Sequence, residues 1–364
     1  MQENREHRRM VLVVVLIYLV ILAGTARAFV PSAFPKPTIK TMFNGVWALQ
    51  LESYLQEHLG AHDVLFQLKS RTDLLVGEKM IHGVYVTDER LLEKLLAEDV
   101  PSAAEAAAPV NTFYTETGLP TCFVLVPSAS EIYETTLPAN AVNAEQSTRI
   151  QQIYSEMHSG IRCVDAYNVL SSMKEDYIYY RTDTHWTNYG AYCVYQSAIQ
   201  KMGFTPVPYQ RYVISHLSTE FRGDLYARTL YDGVKADVLD LYSIEDGAEI
   251  TEVLAYNGDS VPQDRSTMLY NESALESDDM YRFYLGNPAE RLIIRTNLDN
   301  GKKLLLYKDG FADCMVPFLL QHYSEICVVD LELVGEDYLT MADPSEYTQA
   351  LFLCSMSSWD ALWG

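Results

Sequence analysis

The stretch GKKLLLYKDGFADCMVPFLLQHYSEICVVDL, residues 301–331, decides the fold class. It reads as a strand, a sharp turn, a helix and a second strand. Both strands are continuous apolar runs, which is typical of strands buried on both faces of a parallel sheet. TCFVLVPSA at 121–129 and YTQALFLC at 347–354 have the same character. We therefore predict an α/β domain of three layers, whose mainly parallel sheet is covered by helices on both faces.

Other segments of the chain fit the same alternation. Residues 143–158 read as a helix and 161–164 as a short strand. Thr187 is a good N-cap for a helix that ends at Met202, before Gly203. Residues 205–298 contain many turn residues and predict an irregular region with short strands.

The region before residue 111 predicts mostly helix. Residues 46–76 carry apolar side chains at a spacing near 3.6, with a break at Gly60. GVYVTDERLLEKLLAE, residues 83–98, predicts a short strand, a turn and another helix. The alanine-rich residues 102–108 are compatible with either a short helix or a linker.

The N-terminus has the pattern of an export signal. Three arginines, at positions 5, 8 and 9, precede an uncharged apolar run at 10–26, and Ala26-Arg27-Ala28 resembles a cleavage site. We predict a signal anchor or signal peptide at 1–28 and a tether at 29–42. A helical part follows at 43–110 and the α/β domain at 111–364. The arginines place the rest of the chain outside the cytoplasm, either anchored in the cell membrane or released after cleavage.

Composition excludes some classes of partner. The formal net charge is −22 for 364 residues, and the sequence pI is about 4.7. Such a chain has no net basic surface to neutralise phosphates, so a nucleic-acid partner is excluded, and broad contact with anionic lipid headgroups is disfavoured. The hydrophobic content of 48% is ample for a core.

The six cysteines do not predict a disulfide framework. Four of them lie in apolar, strand-like runs, where a buried thiol acts as a small hydrophobic side chain. No CxxC motif or Cys/His cluster is present. We therefore expect no metal site and no cofactor.

Asp183 and His185 are the first candidates for chemistry. They stand two residues apart in TDTHWTN, ahead of the predicted helix, and a turn lets the carboxylate accept a ring N–H. That bond would fix the tautomer and leave the other nitrogen free as a general base. A purely structural polar turn is the alternative, and a metal site lacks a third ligand. Trp186 either packs in the core or offers a platform on which a sugar stacks.

Several segments together resemble a known family. IYYRTDTHWTNYGAYCVYQSAI resembles the signature segment of the DHHW family of exported bacterial proteins, and also the Asp-x-His segment of alginate O-acetyltransferase-like (AlgX/AlgJ) proteins. Thr184 stands where the first histidine of the DHHW pattern would be. Further similar segments follow in family order: FVLVPSASEIYETTLP (123–138), FRGDLYAR (221–228), YLGN (284–287) and LLLYKDGFADCMVPFLLQHYSEICVVDL (304–331).

This resemblance implies an SGNH-hydrolase-like domain outside the membrane. It also implies a Ser-His-Asp site that moves acetyl groups on or off cell-surface carbohydrate, with Asp183 as orienter and His185 as base. The family nucleophile is expected directly after Lys308-Asp309, where this chain has Gly310. Glycine would tolerate the strained strand-to-helix turn that nucleophiles occupy, so the turn could persist without the serine.

The same resemblance supplies the other candidate site residues. Gly310, Gly286 and Asn287 are candidates for an oxyanion or substrate contact, with a simple turn before Pro288 as the alternative for the last two. Trp186 and Lys308 are further substrate-contact candidates. Cys314 and Ser324 are poor replacements for the nucleophile. EHLGAHD at 57–63 departs from the acidic-aromatic-Pro-x-Arg run of the relatives, which weakens any substrate contact carried over from there.

The first functional hypothesis is therefore an SGNH-like protein of carbohydrate O-acetylation or deacetylation whose serine-dependent activity is lost or reduced. The second is a non-catalytic module that binds glycan or assists the assembly of envelope polysaccharide. The third is an active enzyme with an unconventional nucleophile, which mutation of Cys314 would test. The expected partners are a cell-surface glycan, the membrane through the N-terminal segment, and a multi-pass membrane acyltransferase.

Overall fold

The computed structural model describes residues 62–96, 100–258, 261–286 and 288–364, together with a few isolated positions before residue 62. The predicted anchor and tether otherwise lie outside these residues, and so does Asn287. Among the described helices, none has the length and apolar character needed to cross a bilayer.

Contacts divide the chain into two units, residues 1–78 with 229–232 and residues 79–228 with 233–364. In the first unit, α1 spans His62–Leu75. The Ser70 hydroxyl donates to the Thr229 carbonyl at 2.8 Å, and Arg71 pairs with Asp232 at 2.7 Å. All the other elements below belong to the second unit, except that α7 ends at Thr229.

The second unit alternates strands and helices over most of its length. Its first half contains β1 (Met80–Ile81), β2 (Val84–Val86), β3 (Leu91–Glu93), α2 (Ala103–Thr117), β4 (Thr121–Val126), α3 (Ala129–Ile132), α4 (Gln146–Ser155), β5 (Arg162–Val164), α5 (Ala166–Ser172) and α6 (Asn188–Lys201). Its second half contains β6 (Val213–Phe221), α7 (Asp224–Thr229), β7 (Asp237–Ser243), β8 (Ile250–Tyr256), β9 (Asp264–Ser266), β10 (Arg291–Thr296), β11 (Lys303–Lys308), α8 (Val316–Leu319), β12 (Glu325–Asp330), α9 (Leu331–Val334), β13 (Gln349–Ser355) and α10 (Met356–Trp363).

The central sheet has eight strands in the order β5-β4-β13-β11-β12-β10-β8-β9. The five strands from β5 to β12 are parallel. The last three strands run antiparallel to their neighbours. The prediction of a large, mainly parallel sheet is thus confirmed. All three antiparallel strands lie within residues 205–298, the region that the sequence predicted to be irregular with short strands.

Both faces of the sheet are covered. Along β11, Leu304 and Leu306 belong to one buried cluster, while Leu305 and Tyr307 belong to the other. The first cluster includes α6, and the second includes α2, α4 and α10. Successive side chains of a strand point to opposite faces, so apolar residues at every position require cover on both sides.

The structure tests two predictions near residue 100, the helix within 83–98 and the helix or linker at 102–108. The helix expected in 83–98 is wrong, because Leu91–Glu93 forms β3 and pairs antiparallel with β2. Leu91 and Leu92 are both fully buried there, and the pairing overrides the helical propensity of the LLEKLL run. The alanine-rich segment opens α2, whose N-cap Ser102 forms a capping box with Glu105.

The carboxyl ends of the parallel strands meet at one edge of the sheet. β11 ends at Lys308, β12 at Asp330 and β13 at Ser355. Sites in open α/β sheets form beyond this edge, so the residues that follow these strands are where chemistry is expected.

Candidate active site

The loop that carries Asp183 and His185 is closed at its base by backbone hydrogen bonds. The Thr187 N–H donates to the Ile178 carbonyl at 2.9 Å, and the Tyr180 N–H donates to the His185 carbonyl at 3.2 Å. A Cβ on Gly190 would lie 2.2 Å from the Ile178 carbonyl oxygen. Only glycine therefore lets the first turn of α6 approach the loop this closely. The sequence-predicted N-cap at Thr187 is confirmed.

Within this loop, Asp183 holds His185. The Asp183 Oδ1 atom accepts from His185 Nδ1 at 2.7 Å and from the His185 backbone N–H at 2.9 Å. Asp183 is buried, and the His185 side chain is 22% exposed. The predicted contact of the pair is confirmed, and it leaves Nε2 as the outward-facing nitrogen.

The other Asp183 oxygen is fixed by the first residue of α7. Oδ2 accepts from the Asp224 backbone N–H at 3.1 Å, while the Asp224 carboxylate accepts from the Thr184 N–H at 3.0 Å. A Cβ on Gly223 would lie 1.9 Å from Asp183 Oδ2. Gly223 therefore makes room for the carboxylate, and both of its oxygens are oriented.

A second buried acid, Asp237, binds the backbone of the loop just before Asp183. It accepts from the Arg181 and Thr182 backbone N–H groups at 2.8 Å each, and from the Tyr177 hydroxyl at 2.5 Å. The Thr182 hydroxyl adds a bond at 2.6 Å. Burial raises the pKa of Asp237, although these hydrogen bonds oppose the rise. One carboxylate thus ties down the backbone just before Asp183.

On the sheet side, the turn after β11 is capped by Asp309. Its Oδ1 atom accepts from the Phe311 N–H at 3.0 Å, and its Oδ2 atom accepts from the Ser355 N–H at 2.7 Å, at the end of β13. Burial raises the pKa of Asp309 to about 6. These bonds hold Gly310–Ala312 as a single 3-10 turn at the carboxyl edge of the sheet.

Gly310 and His185 meet directly. A Cβ built on Gly310 would lie 2.9 Å from His185 Nε2, closer than ordinary van der Waals contact. The predicted reason for glycine here is wrong, because the φ angle of Gly310 is not in the left-handed region and its backbone needs no glycine. The structure therefore brings His185 Nε2 to the position where the family nucleophile is expected, and this position lacks a side chain.

Aromatic side chains join the two halves of the site. The Tyr281 ring stacks on His185 at a centroid distance of 3.9 Å and an angle of 15°, and its hydroxyl donates to the Gly310 carbonyl at 3.2 Å. The Trp186 indole N–H donates to the Phe311 carbonyl at 2.7 Å. Trp186 is fully buried, which contradicts its proposed role as a sugar platform or substrate contact and assigns it to packing.

The electrostatics of the pair favour a charged histidine. Burial lowers the pKa of His185, but the Asp183 carboxylate raises it more strongly, with help from Asp224 and Asp309, to about 9. Burial raises the pKa of Asp183, while the His185 charge and hydrogen bonds give a net lowering. Burial and the nearby Asp183 raise the pKa of Asp224 to about 6. The charged imidazolium-carboxylate form of the pair is therefore favoured.

A cavity of about 300 Å³ opens beside His185 and Gly310. Lys308 lines it but is buried, and its ammonium group pairs with Asp313 at 2.9 Å and Asp330 at 2.5 Å. Burial lowers the pKa of Lys308, but the two carboxylates raise it more. Gly286 also lines the cavity, with a left-handed φ of 72°, whereas Asn287 lies outside the described residues. An oxyanion role for these two residues stays a prediction.

Neither replacement nucleophile is placed for catalysis. Cys314 is fully buried, and burial raises the pKa of its thiol to about 12, so the thiolate is scarce at neutral pH. The Ser324 hydroxyl donates to the Lys302 carbonyl at 2.9 Å, ahead of β11 and so away from its carboxyl end. No group of three or more potential metal ligands occurs within the described part of the chain.

Three site residues were missed by sequence reasoning: Tyr281, Asp224 and Asp237. Asp224 lies within FRGDLYAR, a segment noted only for its resemblance. Tyr281 and Asp237 come from the irregular region, where no periodic pattern singles out one residue. No signal in a single sequence would have found those two.

Comparisons with known proteins agree with this fold. The DHHW protein family model matches residues 103–329, which is more than half of the chain. The chain belongs to the DHHW family. No curated protein sequence matches it.

Solved structures include a DHHW family protein from Eubacterium siraeum, with a TM-score of 0.65 at 23% identity over 77% of this DHHW protein and 93% of that chain. Bacillus cereus PatB1 with a sulfonyl adduct aligns with a TM-score of 0.61 at 19% identity, over 77% and 96% of the two chains. The O-acetyltransferase domain of Pseudomonas putida AlgJ aligns with a TM-score of 0.46 at 14% identity, over 77% and 92%. At these identities the first two similarities establish a shared fold.

Proposed function

We propose that this DHHW protein takes part in the O-acetylation or deacetylation of cell-surface carbohydrate, and that its serine-dependent catalysis is lost or strongly reduced. The observation that carries the proposal is the placement of His185 Nε2 at Gly310, with Nδ1 held by Asp183. That is the arrangement of base and orienter in acyl-transfer sites, without the hydroxyl that would attack. The acetyl and carbohydrate parts of the proposal rest on the segments that resemble alginate O-acetyltransferase-like proteins.

The missing side chain sets the scale of the loss. Removal of the nucleophile from a triad lowers kcat by about 10⁶ and leaves a residual acceleration of about 10³–10⁴ over water. The protonated state of His185 at neutral pH lowers the supply of free base further. We therefore expect wild-type turnover close to background.

The proposed location is outside the cytoplasm, with the N-terminal segment as membrane anchor or cleaved signal. The arginines at 5, 8 and 9 and the apolar run at 10–26 support it. The proposed partners are an envelope glycan and a multi-pass membrane acyltransferase. A gene for such an acyltransferase beside this one would favour acetyl transfer, and its absence would favour simple glycan binding or a role in assembly.

The test measures acetyl release from p-nitrophenyl acetate by the purified full chain. We expect Gly310→Ser to gain activity over wild type, and we expect the gain to vanish when His185→Ala is added. Gly310→Ala is the matched control, since it adds the same Cβ against His185 without a hydroxyl. Both side chains require the His185 ring to shift, because the added Cβ would lie 2.9 Å from Nε2.

Two outcomes would count against the proposal. Wild-type turnover like that of an ordinary esterase would refute the loss of catalysis. No gain in a folded Gly310→Ser variant would refute the placement of the nucleophile. A non-catalytic glycan-binding role, unrelated to acyl transfer, would then be the better proposal, because the cavity beside His185 would remain.

A further inference from the structure

His185 has one ring nitrogen that the fold leaves unused. Nδ1 is bonded to Asp183 at 2.7 Å, whereas Nε2 has no hydrogen-bond partner among the described residues. The ring cannot turn freely, because it stacks on Tyr281 and also contacts Phe311 at a centroid distance of 4.9 Å. A polar atom is therefore held in a fixed direction at the cavity beside Gly310.

The residues that line the cavity are of two kinds. The apolar ones include Leu285, Ala289, Leu292, Val328 and Leu333. The charged ones include Lys308, Arg282, Asp279, Asp313, Asp330 and Glu332. Its volume of about 300 Å³ lies at the lower end of the range for small-molecule sites. The apolar side chains can contact a methyl group, and the carboxylates can accept hydrogen bonds from sugar hydroxyls.

The charges around the cavity select against an anion. Four carboxylates line it, against three cationic groups including His185. Arg282 already pairs with Asp279 at 2.7 Å, and Lys308 already pairs with two acids. A free carboxylate would therefore meet surplus negative charge, whereas a neutral carbonyl oxygen would meet only the ring N–H.

We propose that this cavity binds the intact acetyl ester of an O-acetylated sugar without cleaving it, with the ester carbonyl oxygen accepting a hydrogen bond from His185 Nε2–H. The absence of a side chain at position 310 keeps a nucleophile away from the carbonyl carbon, so the ester persists. This inference rests on the proposed function. It assigns the site a role in binding O-acetylated sugar, without catalysis.

The protonation of His185 supports the donor role. The imidazolium is held by Asp183 and faces further acids at Asp224, Asp309 and Asp313, together with the rings of Tyr281 and Phe311. Because the pKa of His185 is raised to about 9, Nε2 carries its proton at neutral pH. Ester binding should therefore be constant near pH 7 and should weaken as the pH rises through about 9.

The experiment is saturation-transfer NMR on the purified full chain with three probes: 6-O-acetyl-D-glucose, D-glucose and sodium acetate. We expect the acetyl methyl of the ester to receive the strongest saturation at pH 7. His185→Leu removes the donor and should weaken ester binding about tenfold or more, the value of one charge-assisted hydrogen bond. Gly310→Ala should weaken it too, by filling the space beside Nε2.

His216→Leu is the matched control, since His216 is exposed and pairs with Asp240 at 2.6 Å in another part of the fold. It should leave ester binding unchanged. Equal binding of the ester and D-glucose, stronger binding of acetate, or an unchanged affinity in a folded His185→Leu variant would each overturn the inference, as would no binding of the ester at all.

The two proposals fail separately. Ester binding by wild type, with no activity gained by Gly310→Ser, would support the binding role and refute the proposed nucleophile position. Activity gained by Gly310→Ser, with no ester binding by wild type, would support the nucleophile position and refute the binding role.

Discussion

The loop that carries His185 and the turn that carries Gly310 meet beside the cavity, and buried acids hold the backbone of both. Asp183 and Asp237 fix the loop through bonds of 2.5–2.9 Å, and Asp309 caps the turn through bonds of 2.7 and 3.0 Å. The turn nevertheless has no side chain at position 310, where the family resemblance places the nucleophile. Its backbone geometry does not require glycine. We therefore propose that this site keeps the positioning of its residues without their reactivity, and variants of each half test this.

The largest effect is expected for Asp183, when a serine is placed at position 310. In the Gly310→Ser background, Asp183→Asn should lower the gained turnover by up to about 10⁴, because the amide favours the wrong tautomer of His185. Turnover of p-nitrophenyl acetate by single and double variants measures it. A double variant as active as Gly310→Ser alone would show that Asp183 does not orient the base.

The next largest effect is a difference in stability between alanine variants of Gly223 and Gly310. Gly223→Ala places a Cβ 1.9 Å from Asp183 Oδ2, inside a packed hydrogen-bond network, and should cost about 1–3 kcal/mol or more of stability. Gly310→Ala meets only the end of the His185 side chain and should cost less. Thermal or urea unfolding of both variants measures the difference. Equal losses would mean that the loop is no more rigid than the turn.

A smaller effect is expected where the two halves touch. Trp186→Phe removes the indole N–H and leaves the buried Phe311 carbonyl without that donor, at a cost of about 1–3 kcal/mol. Affinity for the acetylated sugar should stay the same in the folded variant, because Trp186 is fully buried. A selective loss of sugar affinity would reinstate Trp186 as a substrate contact.

The sequence predicts those parts of the fold and of the site that depend on neighbouring residues in the chain. The continuous apolar runs identified strands β4, β11, β12 and β13, and a spacing of two residues predicted the contact of Asp183 with His185. β3 was missed because pairing with β2 outweighs the propensity of the LLEKLL run. Tyr281 and Asp237 were missed because they reach the site through tertiary packing from an aperiodic region.

The most direct test of the central claim asks whether position 310 is the nucleophile position of this fold. The purified Gly310→Ser variant is treated with phenylmethylsulfonyl fluoride, and the adduct is located by intact-mass and peptide mass spectrometry. We expect one sulfonyl adduct at position 310, absent from wild type and from the double variant with His185→Ala. An adduct elsewhere in wild type, or none in a folded Gly310→Ser variant, would contradict it.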